Sequence, residues 1–460
     1  MLKRLFCVLS VGLLLAGAMS ARAADSPTQE FKLENGMKII VREDHRAPVI
    51  VSQVWYLVGS MDEFNGTTGV AHVLEHMMFK GTKEVAAGQF SKTIAANAGK
   101  DNAFTNRDYT TYFEQLRGDK LELALKLESD RMVNLSFSDE EFAKEIKVVM
   151  EERRLRTEDK AHAIVYEQLL ATAYNASPYG RPVIGWMNDL ENLKPEDARA
   201  WYKRWYAPNN ATLVIVGDVD PQQVLALAQK YFGPLKTQAL PERKPQTEPV
   251  QLGVKRIVVK APSQLPYLAM AYHAPVLRDA AKDWEPYALQ MLVGILDGGE
   301  SSRLNKSLVR DTRIANSAGA GYEAMERGPG MLIFDGTPSE GKTIPELETA
   351  LREQFEKIKT EGVTDDELNR VKSQIIAAQV FGLDSMFGQA MQIGRTENAG
   401  FSWRDINIML DKLKAVTAAQ VKEVAQKYIQ DDRLTVAVLD PQSVEQVRPR
   451  PPVEGLKHTQ

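Results

Sequence analysis

Cysteine is almost missing from these 460 residues. The single one, Cys7, lies inside an N-terminal apolar run, so the rest of the chain forms no disulfide and is held by packing alone. Histidine is scarce too, with six in the chain. There is no excess of basic charge: 57 Lys and Arg stand against 61 Asp and Glu, a net charge of −4, and this excludes the electrostatic footprint of a nucleic-acid binder. Beyond residue 23 no run is apolar enough to cross a bilayer, so no membrane span is expected in the mature chain. What remains, 44% hydrophobic and 26% charged, is the composition of a globular protein. At roughly 100–200 residues per domain, the length predicts more than one.

The first residues carry a message of their own. Lys3 and Arg4 precede an apolar run over 5–19, and Ala21, Arg22 and Ala23 supply a small-x-small cleavage site. This is the pattern of a secretory signal peptide over 1–23, with Ala24 as the first mature residue. The run is short for a span, and Cys7 is followed by more of it, which speaks against a lipid anchor. An acidic, cysteine-free, exported chain is expected in a bacterial periplasm.

The mature chain divides at a stretch with three prolines and several charges, placing a linker at 238–250 between lobes at 24–237 and 251–445, with a Pro- and Arg-rich tail at 446–460. The lobes look related. A helical stretch at 195–206 leads to a strand at 212–216 and then to Asp220, Pro221 and Gln222. A stretch at 417–428 leads to a strand at 434–438 and then to Asp440, Pro441 and Gln442, so the same order of helix, strand and turn is expected at both ends. Further strands are predicted at 37–42, 49–58, 109–116 and 256–260, and helices at 139–156 and 345–360. Strands and helices interleave without a regular βαβ rhythm. The expected fold is α+β: two related lobes in tandem, each a mainly antiparallel sheet with helices packed on it.

Two of the six histidines, His72 and His76, stand four apart in the proline-free stretch 69–79, with Glu75 between them. On a helix they lie about 40° apart on one face, with Glu75 on the adjoining edge. Two imidazoles one turn apart bind one zinc ion, and a carboxylate beside them takes a proton from water activated there. The order, His-x-x-Glu-His, inverts the commoner His-Glu-x-x-His. Gly69, one turn earlier on that face, leaves room for close approach.

A third protein ligand is required, and the helix beginning at Asp139, opened by a Ser138–Glu141 capping box, offers candidates. With Glu145 at zero on its wheel, Glu152 falls near −20° (about) within the apolar arc of Phe142, Ile146, Val148 and Val149, and Glu151 falls outside it, facing water. Buried carboxylates need compensation, and a metal provides it. The wheel alone leaves two readings: Glu152 as third ligand with Glu145 orienting a ligating histidine, or both as surface acids on a charged helix.

At these residues the sequence resembles the pitrilysin family of zinc peptidases, the inverzincins, to which insulin-degrading enzyme and mitochondrial processing peptidase belong. Residues 35–41, 55–60 and 69–82 are similar to the family's opening strand, the segment before the motif, and the motif itself. The family's distal glutamate follows the second histidine by about 76 residues, the separation of His76 and Glu152, and follows another glutamate by seven, as Glu152 follows Glu145. The resemblance implies one zinc ion per chain on His72, His76 and Glu152, with Glu75 as general base. It also implies a substrate-binding edge strand over 101–105, where Asn102 and Ala103 pair with the peptide main chain.

The resemblance weakens in the second lobe. There the family carries an arginine followed seven residues later by a tyrosine that stabilise the scissile carbonyl. Here Arg310 is followed by Ser317, and Tyr322 is out of register. A two-chain enzyme is therefore expected, with a related zinc-lacking chain as heterodimer partner or a second copy as homodimer. The function expected is a zinc-dependent endopeptidase acting on oligopeptides or unfolded segments. The alternative is a non-catalytic peptide-binding or scaffold member of the family.

Overall fold

The computed structural model describes residues 27–443. The signal peptide expected at 1–23 and the tail at 446–460 lie outside the described residues. The first sheet comprises β1 (Thr28–Lys32), β2 (Lys38–Glu43), β3 (Val49–Tyr56), β4 (Lys100–Thr105), β5 (Thr110–Arg117) and β6 (Ala211–Gly217), in the order β1-β2-β6-β3-β5-β4. The second comprises β7 (Lys255–Pro262), β8 (Tyr267–Ala274), β9 (Ala315–Tyr322), β10 (Gly330–Pro338) and β11 (Leu434–Gln442), in the order β7-β11-β8-β10-β9.

Apart from β1, the two orders are the same. β2 and β6 pair in parallel, as do β7 and β11, and every other pair is antiparallel. The lobes are therefore two copies of one α+β plan. The repeated Asp-Pro-Gln triplet is the place where they part. Asp220 caps the helix Pro221–Tyr231, its Oδ1 accepting from the Gln223 N–H at 2.8 Å, whereas Asp440, Pro441 and Gln442 run on in β11 beside β7. The turn expected at 440–442 is absent because β7 offers that segment a partner strand.

Each sheet has helices of its own lobe on one face and a helix from the other lobe on the opposite face. The helix Ala161–Ala173 lies on β7, β8 and β11, with Val165, Leu169 and Ala173 against Ala269, Ala271 and Ala437. The helix Met386–Asn398 lies on β3 and β6, with Ala390 and Ile393 against Trp55, Val214 and Val216. Between Tyr231 and Lys255 there is neither helix nor strand. Hydrogen bonds pin that segment along its length: Asn35 Nδ2 donates to the Leu235 carbonyl at 3.0 Å, Gln238 N–H donates to Asn209 Oδ1 at 3.0 Å, Arg243 Nε donates to Asp62 Oδ1 at 2.6 Å, and Glu248 accepts the N–H groups of Asn175, Ala176 and Ser177.

The exchange of helices yields a prediction. A Cβ at Gly394 would overlap the indole of Trp55, itself fully buried. Gly394→Ala gains helix propensity of about 0.5–1 kcal/mol. The clash with a large, immobile ring outweighs this, and a net loss of about 1–3 kcal/mol is expected. Urea unfolding of the variant checks it: a midpoint at or above that of the parent shows that Trp55 yields.

Candidate metal centre

β3 delivers the chain to a turn from which the helix Val70–Met77 starts. Its first residue is preceded by Gly69 at φ +86°, whose Cβ, if present, would lie 2.6 Å from the Ile184 carbonyl oxygen. Gly69 thus lets the backbone pass against 184–185 rather than making room for a ligand. The helix N-terminus has no local side-chain cap. Glu63 serves instead, its two oxygens accepting from the Gly69 and Ala71 N–H groups, each at 2.9 Å. Burial pushes the Glu63 carboxyl up to about 8, against the pull of those two bonds. Asp189 Oδ2 accepts from the Thr68 hydroxyl at 2.6 Å and fixes the loop from the other side.

His72, Glu75 and His76 project from this helix, and Glu145 and Glu152 from the helix Asp139–Arg153 packed beside it. Ser138 and Glu141 form the capping box that starts the second helix. Glu152 Oε2 lies 3.3 Å from His76 Nε2 and 3.8 Å from His72 Nε2. His76 Nδ1 is bonded to Glu145 Oε1 at 2.9 Å, which fixes the ring so that Nε2 is directed at the carboxylate of Glu152. Lys80 Nζ holds the other Glu145 oxygen at 2.5 Å, and Arg156 holds Glu152 Oε1 at 2.8 Å.

Glu151, expected to face water, is buried and paired with Arg154 at 3.1 Å. The wheel assumed one covered face, whereas this helix is also covered by the helices Met187–Asn192 and Pro195–Trp205. Nor does the α-helix reach Arg156. It ends at Arg153, and residues Arg154–Glu158 wind as a π-turn that brings Arg156 back over Glu152.

The donor set fits a divalent cation. Among the described residues His72, His76 and Glu152 are the one group whose candidate ligand atoms all lie within 4.8 Å of one another. Glu152 Oε2 is buried between the two imidazoles and accepts no hydrogen bond of good geometry from either. Burial, reinforced by His76, drives His72 down to about 3. Burial would lower His76 as well, but Glu145, bonded to its Nδ1, and the adjacent Glu152 carboxylate outweigh this and raise it to about 9. The cluster thus calls for one centre of positive charge. Two nitrogens and one oxygen, open on one side to a cavity, are a donor set that could hold a metal ion.

Glu75 lies beside the centre, 8% exposed, and burial raises its carboxyl. Thr105 Oγ1 donates to its Oε2 at 2.6 Å. The cavity, about 730 Å³, runs between the lobes and is walled by His72, His76 and Glu152, by β4 with Asn102 and Ala103, and by Phe387 and Met391 of the second lobe. β4 is the outermost strand of its sheet. Asn102 Oδ1 accepts the Ala103 N–H at 2.9 Å, so that backbone donor points away from β5. Neither Arg310 nor Tyr322 lines this cavity; Tyr322 Oη donates to the Pro275 carbonyl, and Arg310 is exposed.

Sequence reasoning assigned no role to Lys80, Arg156, Thr105 or Glu63. Lys80 and Arg156 each stand four residues after a site residue, a signal that was legible. Thr105 and Glu63 arrive through tertiary approach.

The family model described as "Insulinase (Peptidase family M16)" matches residues 38–186, and that described as "Peptidase M16 inactive domain" matches 192–375. The protein named Zinc protease PqqE of Helicobacter pylori is 32% identical over 450 residues, covering 95% of this chain and 99% of its own. The uncharacterized zinc protease YmxG of Bacillus subtilis is 24% identical over 413 residues, covering 90% and 98%. The crystal structure of a protease from Helicobacter pylori superimposes with a TM-score of 0.85 at 29% identity, over 90% of this chain and 99% of that one. The periplasmic protease PqqL from Escherichia coli gives 0.77 at 19% identity, over 91% of this chain and 48% of that one, a likeness of fold.

Proposed function

This chain belongs to the M16 (insulinase) family of peptidases, and from that premise we propose that it is an exported zinc-dependent endopeptidase acting on extended oligopeptides or unfolded segments. The carrying observation is the convergence of His72 Nε2 and His76 Nε2 on a buried Glu152 oxygen that lacks any other partner. Those three side chains would hold one zinc ion, which when bound supplies Lewis-acid polarisation of water and of the scissile carbonyl. Glu145 orients His76 through Nδ1. Glu75 takes a proton from the attacking water and passes it to the leaving amine. The peptide lies against β4, where Ala103 offers a main-chain donor at a free edge and Asn102 swings aside to admit it.

The lobes are assigned to 24–237 and 251–445, joined by 238–250. The Arg–Tyr pair expected from the second lobe is not in this cavity, which favours a dimer in which a related chain, or a second copy, completes the site. A periplasmic location agrees with the leader pattern and with the likeness to a periplasmic protease, and among the described residues no helix is long and apolar enough to cross a membrane.

The test is a quenched fluorescent peptide assay on residues 24–460 loaded with zinc. Cleavage that a chelator abolishes and added zinc restores is expected. Cleavage indifferent to the chelator removes the metal from the mechanism. If the chain is silent alone, cleavage should appear when a related zinc-lacking chain is added; silence in every combination favours a peptide-binding role.

A further inference from the structure

Each carboxylate at the centre has one oxygen tied down from outside: Glu145 Oε2 by Lys80, Glu152 Oε1 by Arg156, and Glu75 Oε2 by Thr105. The third of these differs in kind. Lys80 and Arg156 each stand one turn beyond a site residue of their own helical segment, whereas Thr105 is on β4, the edge strand along which the peptide is laid.

The polarity of the Thr105 hydroxyl follows from its neighbour. Thr105 pairs with Thr110 across β4 and β5, and their Oγ1 atoms are 3.3 Å apart. Thr110 Oγ1 donates to the Val58 carbonyl at 3.1 Å, so its proton is committed. The Thr105 proton is then directed at Glu75 Oε2, 2.6 Å away. Among the described residues no other group donates a hydrogen bond to the Glu75 carboxylate.

We propose that Thr105 is a positioning residue for the peptidase reaction: by holding Oε2 of Glu75 it aims the other oxygen, Oε1, toward the attacking water. The strand that receives the substrate thereby also carries the support of the base. This rests on the endopeptidase reading above, with Glu75 as the base. A peptide that adds to β4 orders the backbone on which Thr105 sits, and so orders Glu75. Without the hydroxyl, Glu75 keeps its place on the helix but loses the contact that selects its rotamer.

Thr105→Val keeps the branched shape and strand preference and removes only the donor. Its kcat should fall roughly ten- to hundred-fold, the fold-change expected on losing a hydrogen bond to a charged group. KM and zinc content should stay as in the parent. Thr105→Ser should restore most of the rate. Thr105→Ala, which loses the donor without the branched methyl groups, serves where the Val variant folds poorly. A Ser variant as slow as Val, or a rise in KM with kcat intact, overturns the proposal. Crystal structures give a readout independent of turnover: Glu75 should leave its observed rotamer in the Val variant and keep it in the Ser variant, and a Glu75 unmoved by Val also overturns it. A parent chain that cleaves nothing under any condition defeats the endopeptidase reading instead, and the crystallographic readout still decides whether Thr105 positions Glu75.

Discussion

Glu75→Gln is expected to lower the peptidase rate by a factor of roughly 10²–10⁴ or more, the contribution of a positioned general base, while zinc content and thermal midpoint stay near those of the parent. Gln has nearly the same shape, and its amide oxygen still accepts from Thr105, so the helix Val70–Met77 has no reason to move. The metal-binding set of His72, His76 and Glu152 is untouched. What is lost is an atom able to take a proton from water in a site where burial has already raised the carboxyl toward working pH. The measurement is kcat and KM on the quenched peptide together with zinc by atomic absorption. Equal rates for parent and variant would remove Glu75 from the mechanism. A slow variant that has also lost its zinc would reassign Glu75 to metal binding. By contrast, His72→Ala is expected to lose metal and activity together, because it removes one of three ligands.

Much of this site was legible in the sequence because helices convert spacing into direction. Separations of four from His72 to His76 and of seven from Glu145 to Glu152 are near-integral turns, so on a helix each pair had to share a face. Strand patterns were equally plain where β-branched residues concentrate, as in β3 and β6, and the duplicated order near residues 195–222 and 417–442 anticipated two sheets of one topology. The failures have one physical source, contact with a partner distant in the chain. Glu151 is buried because the helix carrying it is covered on more than one side, and the turn at Asp440 gives way to strand because β7 is there to pair with it. Thr105 reaches Glu75, and Glu63 caps a helix six residues on, through loops whose path no periodicity encodes. The helix exchange that makes the lobes interdependent was equally hidden, since an apolar face announces that it is buried and not which sheet buries it.

Arg131→Met is expected to destabilise the first lobe by about 3–5 kcal/mol at neutral pH, the loss that follows removal of one partner from a buried ion cluster. Arg131 is 1% exposed, and both of its acid partners, Glu114 of β5 and Glu128 of its own helix, are fully buried. Its Nε donates to Glu128 at 2.9 Å and its NH2 lies 3.2 Å from Glu114, while the guanidinium sits 4.2 Å from the centre of the Phe90 ring and 4.5 Å from that of Tyr112. One cation cannot neutralise two carboxylates, and burial together with the neighbouring Glu128 pushes the Glu114 carboxyl well above its ordinary value. Removing the cation, which holds the Glu114 carboxyl down, pushes it further up. The sign of the pH dependence follows. An acid whose folded pKa exceeds its unfolded value binds more protons folded than unfolded, so its contribution to stability is fully present below the unfolded pKa, about 4.5, and is lost as pH rises toward the folded one. The deficit of Arg131→Met relative to the parent should therefore shrink as pH is lowered from 8 toward 5, the reverse of ordinary acid weakening. Thermal midpoints of both proteins across that range measure it, and a deficit that is constant or grows on acidification contradicts the assignment. Replacing Glu114 and Glu128 along with Arg131 by apolar residues of similar volume should recover most of the loss. The cluster also bears on the site. Glu114 is the cross-strand neighbour of Asp101 on β4, so the buried charge on β5 adjoins the strand that carries Asn102, Ala103 and Thr105. A variant that folds but leaves this cluster unbalanced is thus expected to lose peptide binding before it loses its metal.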